Sequence, residues 1–329
     1  MTKVSVAFIC DSHYVIPTAV AITSLICNKN PDTYYNIYII TADLSEMEIE
    51  KFYEFGGSKA DIHIIKASLK KFKGIRQFAH VTFAACLKFD LPNLIPNQDK
   101  VLYLDSDVIV QKDLSDLFEI NINNYYAGVV KDIGLINNDL NIINYFNSGI
   151  MLLNLKLMRG TNTSMALLNI RRSQDNLKYV DQDCFNILFD EKVKLLPIIY
   201  NCFYNYFLRH RDKYTLDYTN KCFGTNYSSL DNIKKDSYII HLAGDDKPWI
   251  YFDSVFVREW NNYFKKSPFK LYKLKRKSIK FREFIVSCKK FFISNNLTNL
   301  PHIFFKYWRD KGFKFAMDKA KDYFNNKKR

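Results

Sequence analysis

The sequence predicts an α/β protein, a mostly parallel sheet flanked by helices, with a basic helical appendix at its C-terminal end. Two observations carry that reading. Over the first 110 residues short β-like runs alternate with helical stretches, the pattern of consecutive strand–helix–strand units. Charge is also divided sharply along the chain. Residues 261–329 hold 20 Lys or Arg against 4 Asp or Glu, whereas 28 and 30 stand before them. The expected division is a main domain at 1–260 and an appendix at 261–329.

Residues 4–10 read as the first strand and 17–27 as the helix after it. Residues 35–41 form the next strand. Ser45 and Glu48, three apart, make a capping box that opens a helix towards Phe55. Residues 62–65 read as a third strand, 82–91 as a helix, and the β-branched and aromatic run 101–104 as a buried strand. Between 126 and 253, strand-like runs (146–155, 237–241) mix with a helical one (182–189). Residues 204–230, rich in Tyr and Asn, read as irregular loops. No internal repeat is found.

A chain of 329 residues with 48% apolar and 25% charged residues can bury a sizeable core. Its 22 Tyr and 27 Phe must be packed or lie at an interface. The seven cysteines (Cys10, Cys27, Cys86, Cys184, Cys202, Cys222 and Cys288) are scattered and odd in number, which fits free thiols in a reducing compartment. The N-terminus does not read as a secretion signal, and no apolar run approaches a membrane span, so a cytoplasmic protein is expected.

In the appendix, Phe281, Phe284, Ile285, Cys288, Phe291 and Phe292 recur at helical spacing, with Lys280, Arg282, Lys289 and Lys290 largely between them. Phe313, Met317, Ala320 and Phe324 make a second stripe beside Lys311, Lys314, Lys319 and Lys321. Basic amphipathic helices with Phe on the apolar face lie on anionic bilayers, so the expected partner is the inner face of the cytoplasmic membrane. A nucleic-acid-binding role is the non-catalytic alternative, but no recognised motif supports it and no nucleic acid is expected.

In open parallel sheets ligands bind beyond the carboxyl ends of the strands, where strand order reverses. Two groups stand there: residues 11–14 after the first strand, and Asp105 and Asp107 after the fourth. In extended backbone residues i and i+2 point to one side, so both carboxylates can hold one cation. Oxygen ligands suit Mg²⁺ or Mn²⁺, and a histidine tilts the choice to Mn²⁺. The D-x-D pair followed by β-branched Val108 also suits phosphatases of the haloacid-dehalogenase type, with Asp105 as nucleophile. Those enzymes usually carry the motif near the start of the core, whereas three strand candidates precede it here. The deciding element is H-x-x-G-x-x-K-P-W at 241–249. His241 can ligate a metal, Gly244 lets backbone approach a phosphate, and Lys247 offers positive charge to a diphosphate.

With these motifs the chain resembles family eight of the glycosyltransferases over roughly residues 4–249. The shared elements are D-S-H-Y at 11–14, V-L-Y-L-D-S-D-V at 101–108, F-N-S-G at 146–149, D-Q-D at 181–183 and the 241–249 element. The resemblance implies a GT-A-type nucleotide-sugar-binding fold and a hexosyltransferase that retains anomeric configuration. The donor would be a UDP-sugar and the acceptor a glycolipid or oligosaccharide. Asp11 and Tyr14 would bind the uracil. Asp105, Asp107 and His241 would bind Mn²⁺, with Asp105 also near the donor, and Gly244 and Lys247 would bind the diphosphate. Asp132, Asn147, Asp181 and Gln182 would surround the transferred sugar and acceptor, with Gln182 and Asp181 the catalytic candidates.

The chain departs from the family at two places. His13 stands where Asn or Glu is usual, and Lys88, four before Pro92, where Arg is usual. Lysine keeps the charge but loses the bidentate fork, which bears on how Lys88 would serve the donor. Breaking the anomeric bond leaves negative charge on the departing diphosphate and an oxocarbenium-like sugar. The group beside the sugar, the amide Gln182, is a poor nucleophile. Same-face attack by the acceptor is therefore expected, with a covalent intermediate on Asp181 or Gln182 as the alternative.

Overall fold

The computed structural model describes residues 1–72, 83–135, 138–174 and 177–279. The Phe and Lys stripes of the appendix lie outside the described residues. The chain divides into two compact units: Met1–Trp249 with Val255–Leu274, and Ile250–Ser254 with Lys275–Arg329. In the second, Tyr251 bridges Lys277, and Asp253 accepts the Ser278 hydroxyl and the Ile279 N–H.

Among its described residues the first unit holds nine strands: β1 (Thr2–Ile9), β2 (Thr33–Thr41), β3 (Ala60–Lys66), β4 (Lys100–Leu104), β5 (Val108–Val110), β6 (Ala127–Lys131), β7 (Phe146–Asn154), β8 (Val193–Leu195) and β9 (Ile239–His241). Seven form one sheet in the order β3-β2-β1-β4-β7-β6-β8, and β5 pairs with β9 in a small separate sheet. In the large sheet β7 alone runs against its neighbours, β4 and β6. The mostly parallel sheet read from the sequence is present. Strand order reverses between β1 and β4, so the segments after these two strands flank the switch point.

Alternation along the strands feeds two cores, one on each face. Val4, Val6, Phe8, Leu102, Leu104, Ile150 and Leu152 pack with the helix Val15–Cys27 on one side. Ala7, Ile9, Val101, Tyr103, Met151 and Leu153 pack with the helices Thr163–Ser173 and Val180–Phe189 on the other. Burial on both faces is why the run 101–104 carries no charged residue. The helix Val15–Cys27 is buried with polar residues inside it. Thr18, Thr23 and Ser24 donate back to the carbonyls of Tyr14, Ala19 and Ala21, each at 2.7 Å, so those hydroxyls are satisfied within the helix.

The capping box forms as read: Ser45 Oγ accepts from Glu48 N–H, and the Glu48 carboxylate accepts from Ser45 N–H. Two readings are corrected. Residues 83–90 form a 3₁₀ helix that passes into a short α-turn at Leu91–Leu94, with Pro92 at its start. Residues 204–230 hold two helices rather than loops, Tyr204–Arg209 and Leu216–Phe223. The second has a Thr215 N-cap and Gly224 in the left-handed region at its end, so its signals were present under the Tyr- and Asn-rich composition. None of the six described cysteines is in a disulfide. Among the described residues no helix is long and apolar enough to cross a membrane.

Candidate active site at the switch point

β4 delivers the first carboxylate. Asp105 N–H donates to the Gly149 carbonyl at 2.7 Å, and the chain then bends out of the large sheet at Ser106 and Asp107. Ser106 pins that bend: its hydroxyl lies 2.7 Å from Thr18 Oγ1 and 3.2 Å from the Ile9 carbonyl, and its one proton can go to either. The two carboxylates therefore converge, but through a bend held by the residue between them rather than by strand alternation. β5 follows, and its antiparallel pairing sets Val108 opposite His241. The imidazole Nε2 lies 3.2 Å from Asp107 Oδ1. One ligand atom from each of Asp105, Asp107 and His241 lies within 4.8 Å of the others.

This cluster fits a divalent cation. Hard carboxylate oxygens with one imidazole are a donor set for Mg²⁺ or Mn²⁺. The space they face is kept open by Gly149. A Cβ there would stand 2.4 Å from His241 Cε1 and 2.7 Å from Asp105 Oδ2.

Two lysines balance the acids. Lys247 Nζ donates to Asp107 Oδ2 at 2.5 Å and to the Leu242 carbonyl at 2.7 Å. Burial alone would raise the Asp107 carboxyl, but the charges facing it, Lys247 foremost, outweigh it and hold the group well below the usual carboxylate range. Lys88, 5% exposed, sits between Asp181 Oδ2 at 2.8 Å and Asp105 Oδ1 at 3.0 Å, with the Tyr103 ring 4.8 Å away. Tyr103 OH also donates to Asp105 Oδ1 at 2.6 Å.

From the cluster a line of amides runs to Asp132. His241 Nδ1 meets Asn201 Oδ1 at 3.0 Å, and Asn201 Nδ2 donates to Asn147 Oδ1 at 3.0 Å. Asn147 Nδ2 donates to Gln182 Oε1 at 2.9 Å, and Gln182 Nε2 to Asp132 Oδ2 at 3.1 Å. Burial pushes the Asp132 carboxyl above its ordinary value, and its hydrogen bonds only partly offset that. Ser148 joins the line to Lys88, its N–H donating to Gln182 Oε1 at 3.1 Å and its hydroxyl to Asp181 Oδ2 at 3.0 Å.

The segment after β1 closes the other side. Asp11 Oδ1 accepts from the N–H groups of His13 and Tyr14, at 3.0 and 3.1 Å, and so shapes the turn that presents Tyr14. The Tyr14 ring stands edge-on to Trp249 with centroids 6.0 Å apart. Burial, then the negative charges of Asp107 and Asp105, raise its phenol. Gly244 has φ +87°, with nothing near an added Cβ, so glycine is needed there for backbone conformation rather than for room.

The sequence-selected residues thus gather at one edge of the sheet. Asp105, Asp107, His241 and Lys247 meet directly. Lys88 and Asp181 join through Asp105, and Asn147, Gln182 and Asp132 join through hydrogen bonds. Asn201, Ser148 and Tyr103 were not singled out as site residues; Ser148 and Tyr103 lie in motifs that pointed here, and Asn201 lies in none.

A doubly wound sheet with an Asp–Asp–His cluster at its switch point belongs to the GT-A class of glycosyltransferase folds, and solved structures agree. The structure is similar to galactosyltransferase LgtC in complex with donor and acceptor sugar analogues, with TM-score 0.67 and 23% identity, covering 80% of this chain and 96% of that one. It is also similar to the apo WbbM bifunctional glycosyltransferase, with TM-score 0.68 and 21% identity over 82% of this chain. The match spans only 51% of the WbbM chain. The pattern that defines Glycosyl transferase family 8 matches residues 5–253, and the chain belongs to that family. It is 30% identical over 258 residues to a lipopolysaccharide 1,2-glucosyltransferase of Escherichia coli (strain K12), covering 74% of this chain and 72% of that protein.

Proposed function

We propose that this protein moves a hexose, galactose or glucose, from a UDP-sugar to a hydroxyl of a glycolipid or lipooligosaccharide acceptor, with retention of configuration and with Mn²⁺ (or Mg²⁺) as cofactor. The observation that carries the reading is the meeting of Asp105, Asp107 and His241 beside Lys247 at the switch point, in a family 8 chain. The similar lipopolysaccharide glucosyltransferase supports the acceptor class.

Asp105, Asp107 and His241 hold the cation, which when bound neutralises charge on the departing diphosphate. Lys247 exchanges Asp107 for a phosphate oxygen, and the Gly244 turn lets the backbone follow. Tyr14 stacks on the uracil beside Asp11. Asp132, Asn147, Asp181 and Gln182 line the hexose and the acceptor hydroxyl. Gln182 Oε1 already accepts from Asn147 and Ser148, and Asp181 Oδ2 from Lys88 and Ser148. An amide oxygen that already accepts twice and a carboxylate neutralised by Lys88 are weak nucleophiles, which favours same-face attack, with the leaving phosphate taking the acceptor proton.

Donor hydrolysis is the direct test. UDP-galactose or UDP-glucose should be split slowly with Mn²⁺ and not after chelation. UDP with Mn²⁺ should raise the melting temperature, because a ligand at 100 times its Kd adds about 2.7 kcal/mol to the folded state. Equal protection by ADP, GDP and UDP would mean that the base is not read. No hydrolysis of any nucleotide sugar would overturn the reading.

The excess charge of residues 261–329 supports an anionic membrane surface as the second partner, at the inner face of the cytoplasmic membrane. The full chain should sediment with anionic but not neutral vesicles, and high salt should weaken the association without abolishing it. Preference for single-stranded nucleic acid over such vesicles would exclude this role.

A further inference from the structure

The amide line between the cation cluster and Asp132 has a fixed direction, and two backbone groups set it. A main-chain N–H can only donate. Gly149 N–H donates to Asn147 Oδ1 at 2.9 Å, which identifies that atom as the amide oxygen and turns Asn147 Nδ2 towards Gln182. Ser148 N–H donates to Gln182 Oε1, which fixes the second amide independently and agrees with the first. Asn201 faces the Asn147 oxygen and must present Nδ2 to it. The atom left facing His241 Nδ1 is Asn201 Oδ1, an acceptor with no proton to give. His241 must therefore carry its proton on Nδ1, and its Nε2 lone pair turns towards Asp107.

The consequence lies at the 3.2 Å gap between Nε2 and Asp107 Oδ1. With the proton on Nδ1, two acceptors face each other, an arrangement that a cation satisfies. With the proton on Nε2, the imidazole would donate to Asp107 and the two ligands would satisfy one another. Asn201 decides between these states. It is wholly buried, and it lies 40 residues from His241 and 54 from Asn147 in the chain. The segment that carries it is tied to β9 from both sides, since Cys202 N–H donates to the Ile239 carbonyl and His241 N–H to the Cys202 carbonyl. The imidazole ring also packs against Phe203, with centroids 5.5 Å apart, so its plane does not depend on Asn201 alone.

We propose that Asn201 is a positioning residue for the cation site: it holds His241 in the Nδ1–H tautomer and joins that ligand to the Asn147–Gln182 shelf. The proposal rests on Asp105, Asp107 and His241 being the cation ligands. Asn201 acts through its two neighbours, and the two substitutions that follow separate its two bonds. Asn201→Asp keeps an acceptor for Nδ1–H but sets oxygen against Asn147 Oδ1. Asn201→Ala removes both bonds.

The test measures Mn²⁺ affinity by the paramagnetic resonance signal of the free ion, in the full chain. It also reads the His241 tautomer by nitrogen NMR of the labelled ring, and donor hydrolysis. Asn201→Ala should weaken Mn²⁺ binding roughly 10–100-fold, the usual cost of losing the group that orients a histidine ligand, and shift the ring to the Nε2–H form. Asn201→Asp should keep Mn²⁺ affinity within a few-fold and the Nδ1–H signature, and lose hydrolysis instead. Wild-type Mn²⁺ affinity in a folded Asn201→Ala protein would overturn the proposal. If that variant does not fold, Asn201→Asp decides alone: retained Mn²⁺ binding with lost hydrolysis supports it, and loss of Mn²⁺ binding in the folded protein overturns it. Failure of the underlying reading has a different signature, since His241→Ala would then bind Mn²⁺ as the unaltered protein does.

Discussion

Gly149→Ala is expected to abolish Mn²⁺ binding and sugar transfer while leaving the sheet folded. The added Cβ would lie 2.4 Å from His241 Cε1, 2.7 Å from Asp105 Oδ2 and 3.0 Å from Asn147 Oδ1. Something must move, and the backbone is poorly placed to do so. Gly149 N–H is bonded to Asn147, its carbonyl accepts from Asp105 N–H, and the next residue, Ile150, pairs with Leu104. The displacement therefore falls on two of the three proposed cation ligands. Overpacking of this kind costs about 1–3 kcal/mol, which a protein of this size can survive. A ligand shifted by about 1 Å costs roughly 10²-fold in rate, and two shifted ligands cost more. Gly160→Ala is the control, because nothing stands within 4 Å of its Cβ. Calorimetric titration with Mn²⁺ and donor hydrolysis check the outcome. Near-native affinity in Gly149→Ala would mean that the cation lies elsewhere.

The sequence showed this edge of the sheet because its strands and motifs coincide. A buried run that ends in two acids, and a strand that ends in His241, were both visible from composition and order. Their meeting was not visible, since Val108 and His241 pair across 133 positions through a two-stranded sheet outside the main one. The role of Ser106 was hidden for a related reason. It looks like a small spacer, and only the fold shows its hydroxyl set between Thr18 Oγ1 and the Ile9 carbonyl. Asn201 carried no signal at all, because a single buried amide outside every motif has no period to betray it. The misreading of 204–230 had another origin. Composition outweighed two local cues, Thr215 and Gly224, that bound one helical turn after another.

Lys88→Met should be the most destabilising single change at the site. The ammonium is buried between Asp105 and Asp181, and removing it leaves two carboxylates facing each other in a poorly solvated place. Breaking a buried pair by deleting one partner costs about 3–5 kcal/mol, which for a chain of this size lowers the melting temperature by roughly 5–10 °C. Burial alone would lower the Lys88 pKa, but the two carboxylates raise it above the ordinary lysine value. A raised folded value means that the stabilising charge is fully present below the ordinary value and is lost only as pH rises through the folded one. The loss on substitution should therefore not depend on Lys88 titration at neutral pH. Lys88→Arg, which restores the charge, should recover most of the stability. Mn²⁺ provides the sharper test. Without Lys88, Asp105 is short of positive charge, so the cation should bind more tightly and return more stability to Lys88→Met than to the unaltered protein. An equal gain from Mn²⁺ in both would remove Asp105 from the ligand set, and an unchanged melting temperature would show that Lys88 does not neutralise the pair.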